Sequence, residues 1–151
     1  MNDVQNRIDG IRQWLKKKGL DAIIIPHEDE YLSEYIPPEN ERLAWITGFT
    51  GSAGLAIITQ DKAAIFVDGR YTLQAREQVD QTLFEIVELA KISVNDWIQQ
   101  NLSPNTRLGY DPQLHTRSAV QSLDKACSQS NSIIVPITPH PIDSAWVDQP
   151  P

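Results

Sequence analysis

The chain has one cysteine, three histidines, no long apolar run and fewer basic than acidic residues. Each scarcity excludes something. A single thiol, Cys127, permits no intrachain disulfide, which fits a reducing compartment. His27, His115 and His140 stand far apart, and neither H-E-x-x-H nor C-x-x-C occurs, so there is no zinc signature. No apolar stretch approaches the ~18 residues of a membrane-spanning helix. The opening "MNDVQNRIDGIRQW" is polar and amphipathic, unlike a secretory signal. The expectation is a cytoplasmic chain with no membrane partner. Lys and Arg number 13 against 20 Asp and Glu, a net charge of −7 that argues against a nucleic-acid surface. The most basic stretch, Lys16 to Lys18, closes the first expected helix, where cations suit the helix dipole.

What is present suffices for one domain. The 151 residues, 40% hydrophobic and 22% charged, match a soluble globular protein with a single buried core. Val4, Ile8, Ile11 and Leu15 mark the buried stripe of a helix, and Gly19 is placed to cap it with positive φ. "DAIIIP" (Asp21 to Pro26) reads as a fully buried strand. The acidic, aromatic stretch "HEDEYLSEYIPPENER" is a surface excursion, with room for a short helix over Glu30 to Tyr35 before Pro37 and Pro38. A helical turn or two follows over Glu41 to Ile46.

"GLAIIT" and "AAIFVD", joined by "QDK", form an expected antiparallel hairpin. Helices then alternate with strands. A helix follows Asp68, a strand covers "LFEIVEL", and a helix starts from Ser93 as its cap. "TRLGYD" is a strand, Thr116 caps another helix, and "SIIVPI" is the last strand. This order predicts an α/β domain with a mixed parallel and antiparallel sheet flanked by helices. The domain is expected over residues 1–137, with 138–151 ("TPHPIDSAWVDQPP") an extended, proline-rich exit linker.

Gly48, Gly51 and Gly54 in "ITGFTGSAGLAIIT" suggest a phosphate loop, but they follow a helical turn and lead into a strand. Phosphate sites need the reverse order, so that a helix N-terminus meets the anion. The glycines are expected instead to allow a sharp turn and close backbone approach, with Phe49 packing against the neighbouring structure. Other candidates carry little. The acidic "HEDE" is explained more simply as a solvated loop than as a cation site. Ser52 is in no G-x-S-x-G elbow, and Cys127 reads as a small buried helix residue, not a nucleophile.

"VDGRYTLQA" stands out, because it leaves the end of a buried strand, where open α/β sheets tend to meet ligands. Asp68 is expected to cap the following helix. Arg70 then lies in that helix's first turn, poorly placed for the dipole, so a partner is expected: an internal carboxylate or a ligand.

"YLSEYIPPENERLAWITGFTGSAGLAIIT" and "AAIFVDGRYTLQA" together resemble the N-terminal domain of the Xaa-Pro aminopeptidases (aminopeptidase P), of the creatinase and prolidase superfamily. The likeness runs from the first helix to "PIDSAWVDQPP", and the combination of "SEY", "TGFTGSAG" and "DGRY" is specific. "GFTGSAG" most resembles the longer, three-domain aminopeptidases P. The resemblance implies a layer leaning over a catalytic cleft, in the same chain or a partner subunit, that limits access to short Xaa-Pro peptides. It places catalysis in a separate C-terminal domain with two divalent metal ions, usually manganese, whose bridging water attacks the bond before proline. None of that domain's ligand motifs occurs here. These 151 residues are therefore expected to be part of a longer, homo-oligomeric enzyme, with no catalytic residue, metal ligand or cofactor of their own and no activity alone. Carried over residue by residue, Arg70 faces the active-site cavity and meets substrate. Tyr71 is a second substrate-binding candidate, and the glycine loop belongs to the surface on which other domains settle. The alternatives are a non-enzymatic peptide-binding module, as in a histone-chaperone subunit of the same architecture, and a creatinase- or prolidase-type relative. The arginine of "DGRY" and the match to "TGFTGSAG" favour the aminopeptidase.

Overall fold

Helix α1 (Asp3–Lys18) buries Ile8, Ile11 and Leu15 almost completely and packs Val4 beside them, as the stripe predicts. It ends at Gly19, whose φ of +69° lets Leu20 N donate to Leu15 O at 2.8 Å and Gly19 N to Lys16 O at 3.2 Å. This doubly bonded turn satisfies carbonyls that the helix end would otherwise leave open. The computed structural model describes residues 3–26, 42–49, 54–137 and 141–142. The acidic "HEDE", the helix expected over Glu30 to Tyr35, Gly51, Ser52 and His140 lie outside those residues.

The order continues as β1 (Ala22–Pro26), α2 (Arg42–Thr47), β2 (Leu55–Thr59), β3 (Ala63–Val67), α3 (Thr72–Gln78) and β4 (Glu85–Glu88). Helix α4 (Val94–Asn101), β5 (Arg107–Tyr110), a 3-10 turn (Pro112–Leu114), α5 (Arg117–Gln129) and β6 (Ile133–Pro136) complete it. The strands form one sheet in the order β4-β3-β2-β1-β5-β6. Strand β2 is antiparallel to both neighbours, while β3–β4, β1–β5 and β5–β6 are parallel, so β2 alone runs against the rest. The sheet is mixed, and the expected hairpin pairs Leu55 with Phe66 and Ile57 with Ala64.

Strand side chains alternate between two cores. Ile23, Ile25, Ile58, Ile65 and Val67 face α1, α2 and α3, with Leu43, Ile46, Phe49 and Ala75. Ala22, Ile24, Ile57, Ala64 and Phe66 face α4 and α5, with Trp97, Ile98, Leu123, Ala126 and Cys127. Helices on both sides explain why β1 and β3 read as unbroken apolar runs, since neither face meets water. The caps at Ser93 and Thr116 form as expected, accepting from Asp96 N and Ala119 N, each at 3.1 Å.

Pro141 and Ile142, inside the stretch expected to be an extended linker, are buried, and Ile142 joins the core beneath α1 together with Ile137. The packed part of the domain therefore reaches beyond residue 137, because an isoleucine gains more from that core than from water.

Gly48 and Gly54 have φ of +82° and +146°, and a Cβ on either would meet backbone, Gln78 O at 3.1 Å and Phe66 O at 3.0 Å respectively. The close approach read from the glycines is thus real, and its neighbour is this domain's own hairpin and α3. Phe49 is likewise turned into the core, 1% exposed, its amide held by Thr47 Oγ1 at 3.0 Å.

Cys127 is fully buried on the α5 side, and burial, with a smaller contribution from the Asp124 charge, pushes its thiol up to about 11. Its thiolate is therefore scarce at ordinary pH and out of reach. The thiol is expected to stay unreactive toward a disulfide reagent at pH 8 in the folded chain and to react fully once the chain is unfolded in urea. Rapid titration of the native chain would contradict this burial.

Candidate functional site

The site is the turn that leaves β3. Every residue of that strand is buried, so Asp68 is the first side chain to emerge at the strand's C-terminal end. Asp-Gly favours a turn, and the Asp68 carboxylate folds back on it. Its Oδ1 accepts from Arg70 N at 2.9 Å and from Arg70 Nε at 3.4 Å, while Oδ2 accepts from Arg70 Nη2 at 2.9 Å. Tyr71 N donates to Asp68 O at 3.0 Å and closes the turn.

This corrects two expectations. Asp68 does not cap the next helix: α3 starts at Thr72, and its N-cap, Tyr71, makes no side-chain cap bond. The carboxylate is already committed to the Arg70 amide and guanidinium. Arg70 accordingly precedes the helix and does not sit in its first turn, which removes the conflict with the dipole. Of the two partners left open for Arg70, the internal carboxylate is present, and it is Asp68. The Arg70 side chain is nevertheless 76% exposed, so the pair lies on the surface with Arg70 turned outward.

Tyr71 joins this surface to the core. Its ring lies under the guanidinium, with Arg70 Cζ 5.3 Å from the centroid, and meets Phe49 edge-on at 6.1 Å and 82°. Asp68 therefore fixes the guanidinium within its plane and Tyr71 supports its face. The structure thus brings Arg70 and Tyr71 together. The hydrogen bond from Arg70 holds the Asp68 carboxyl below the usual carboxylate range, and the same bond raises Arg70. Because the acid is depressed, the pair is intact at neutral pH and is lost only as pH falls through the lowered Asp68 value.

Two exposed leucines border the turn. Leu73 follows Tyr71 by two residues and is 68% exposed; Leu89, 37% exposed, is tied to the end of β3 by its amide bond to Val67 O at 2.9 Å. Sequence reasoning missed both leucines, and it allowed an internal carboxylate for Arg70 without identifying Asp68 as that clamp. The Asp-Gly turn signal could have revealed the clamp, whereas a single exposed leucine on a short helix leaves no signature. His115 packs edge-on against Tyr110, 6.1 Å between centroids. Among the described residues no group of three or more His, Cys, Asp or Glu is arranged to hold a metal ion.

Residues 7–144 match the Creatinase/Prolidase N-terminal domain family. The chain belongs to that family. Among the relatives of this creatinase/prolidase N-terminal domain, Xaa-Pro aminopeptidase 2 of Rattus norvegicus is 38% identical over 145 residues, 96% of this chain but 22% of that protein. Aminopeptidase P2 of Arabidopsis thaliana is 36% identical over 153 residues, with coverage of 98% and 22%. The X-prolyl aminopeptidase of Caenorhabditis elegans, a cytosolic enzyme with a di-nuclear active site, matches all of this chain with a TM-score of 0.93 at 24% identity, over 26% of its own length. The N-terminal domain of the cytoplasmic peptidase PepQ from Mycobacterium tuberculosis H37Rv gives 0.68 at 23% identity, covering 92% of this chain and 97% of that one. These two likenesses show the fold. The creatinase/prolidase N-terminal domain described here spans about a fifth of the length of its curated relatives, at 22% of each.

Proposed function

We propose that this domain is the non-catalytic N-terminal part of an Xaa-Pro aminopeptidase, a hydrolase that removes the residue preceding proline, and that it shapes and gates the active-site cleft. The observation that carries this reading is the extent of the match: 38% identity over 96% of this chain, confined to 22% of an Xaa-Pro aminopeptidase. The remaining length leaves room for a catalytic domain, in the same polypeptide or in a partner subunit of a homo-oligomer. Two divalent ions held there, manganese by the family resemblance, would supply the hydrolytic water. The cytosolic relative supports a cytoplasmic setting.

The role assigned to this chain is substrate positioning. Arg70 is an exposed cation held in a defined orientation at a strand end, the kind of group that fixes a short Xaa-Pro peptide across a cleft. Tyr71 supports it from below and borders the same contact. Changing Arg70 to Ala in the full-length protein is expected to lower kcat/KM for Xaa-Pro peptides roughly 10- to 100-fold, the scale of a lost charge-assisted contact. The melting temperature should hardly move, because an exposed ion pair contributes little to stability. Unchanged kinetics, or activity lost only in proportion to unfolded protein, would defeat the positioning role.

A further inference from the structure

We infer that Asp68 decides which acceptor Arg70 takes, directing it toward the neutral carbonyl oxygen of a peptide and away from a free carboxylate. The inference rests on the positioning role proposed for Arg70 and assigns Asp68 a part in specificity that the resemblance does not contain.

The geometry divides the guanidinium into two edges. Asp68 occupies the inner edge, through Nε at 3.4 Å and Nη2 at 2.9 Å. Of the five N–H donors of an arginine, this leaves both on Nη1 and the second on Nη2, and one from each of these nitrogens points along the far, end-on edge. That edge can still bind end-on. Rotation of the head group is opposed in two directions, by the carboxylate in the plane and by the Tyr71 ring 5.3 Å below it. Tyr71 is in turn steadied edge-on by the buried Phe49. The far edge is thus presented in a nearly fixed pose, with little ordering left to do on binding.

The charge is also altered. A bare guanidinium prefers a carboxylate to a carbonyl. Here a carboxylate arriving at the far edge, ~3 Å from the nearest nitrogen, would lie about twice as far from the Asp68 oxygens. Since Coulomb energy falls inversely with distance, the repulsion cancels roughly half of the attraction. A neutral carbonyl meets no such repulsion and keeps its hydrogen bond. Specificity is a difference between two affinities, and a fixed like charge behind the cation lowers one of them selectively. The depressed Asp68 carboxyl supports this, because the clamp stays charged throughout the neutral range.

The test uses the full-length protein and pairs of short Xaa-Pro peptides that differ only at the C-terminus, free acid against amide. For the wild type, kcat/KM for acid and amide should be within about two-fold of each other. Asp68→Asn keeps an oxygen for the Arg70 amide and removes the negative charge, and it should raise the acid-to-amide ratio about 3- to 10-fold. Asp68→Ser, which can also accept from that amide, should shift the ratio the same way. In the double variant with Arg70→Ala the shift should vanish, which a merely structural effect of Asp68 would not produce. A ratio unchanged or lowered in both Asp68 variants, with Arg70→Ala still impairing turnover, overturns the inference and leaves the positioning role standing. If Arg70→Ala has no kinetic effect on either peptide, the positioning role fails and takes the inference with it.

Discussion

Replacing Trp97 with alanine is expected to cost this domain about 3–5 kcal/mol, the range for deleting a large buried aromatic side chain. Trp97 is 1% exposed and stands at the centre of the core between the sheet and α4 and α5. Its ring meets Phe66 edge-on, 5.4 Å between centroids at 90°, an aromatic contact that adds to simple burial. Its indole N–H reaches Glu85 Oε1 at 3.2 Å, so the side chain also joins α4 to the edge strand β4. Phe66 lies in β3 and cannot follow the lost ring without breaking its pairing with β2 and β4. The cavity should therefore persist, and persistence puts the cost near the top of the range. At ~2–4 °C per kcal/mol for a chain of this size, the melting temperature should fall by roughly 10–20 °C. Urea unfolding of Trp97→Ala against Trp97→Phe measures it, with the phenylalanine variant losing much less. A loss below about 1 kcal/mol for the alanine variant would mean that this core is not close-packed.

Gly54→Ala should lose about 2–4 kcal/mol, although it adds only a methyl group. Two effects add. A φ of +146° is one that alanine rarely adopts, and the new Cβ would stand 3.0 Å from the carbonyl oxygen of Phe66. That oxygen belongs to the backbone of β3 at the residue paired with Leu55, so it cannot swing aside as a flexible side chain would. The smaller entropy of the unfolded alanine chain, worth ~0.4–1 kcal/mol, offsets only part of this. Gly69→Ala is the control, since nothing lies within 4 Å of a Cβ there and its φ is not in the positive range. Equal loss at both positions, read from urea midpoints, would remove the close approach as the explanation.

Much of the architecture was legible because local chemistry and tertiary packing agree. The stripe of Ile8, Ile11 and Leu15 has one period and one buried face, and both are helical. Ser93 and Thr116 carry the hydroxyls that helix N-termini require, and each accepts the expected amide. The short "QDK" link left the hairpin little choice but antiparallel pairing. What stayed hidden depends on the third dimension. Ile23 and Ile24 are equally apolar and equally likely by pattern to face either side, yet they belong to different cores. No periodicity separates them when helices cover both faces of a sheet. Ile142 looked like part of an exit linker because prolines surround it, while its burial is decided by a core contributed by residues far away.

The candidate site shows the same division. The strand end and the cation at residue 70 could be read from "VDGRY", because a buried strand must end somewhere polar. Which group Asp68 would serve could not be read, since a carboxylate at that position can cap a helix or bend back on a turn with similar ease. The Arg70 guanidinium two residues on makes the second arrangement win, adding two bonds that the helix cap would forgo.

The place of β1 has a consequence for how the polypeptide is born. One flank of that strand is completed by β5, and Arg107 N reaches back to Asp21 Oδ2 across 86 residues. During synthesis the isoleucines of β1 emerge early, but the partner for one of their edges leaves the ribosome only after more than two-thirds of the domain has been made. Until then a hydrophobic ribbon waits with one side open, the condition that slows assembly and invites holding by chaperones.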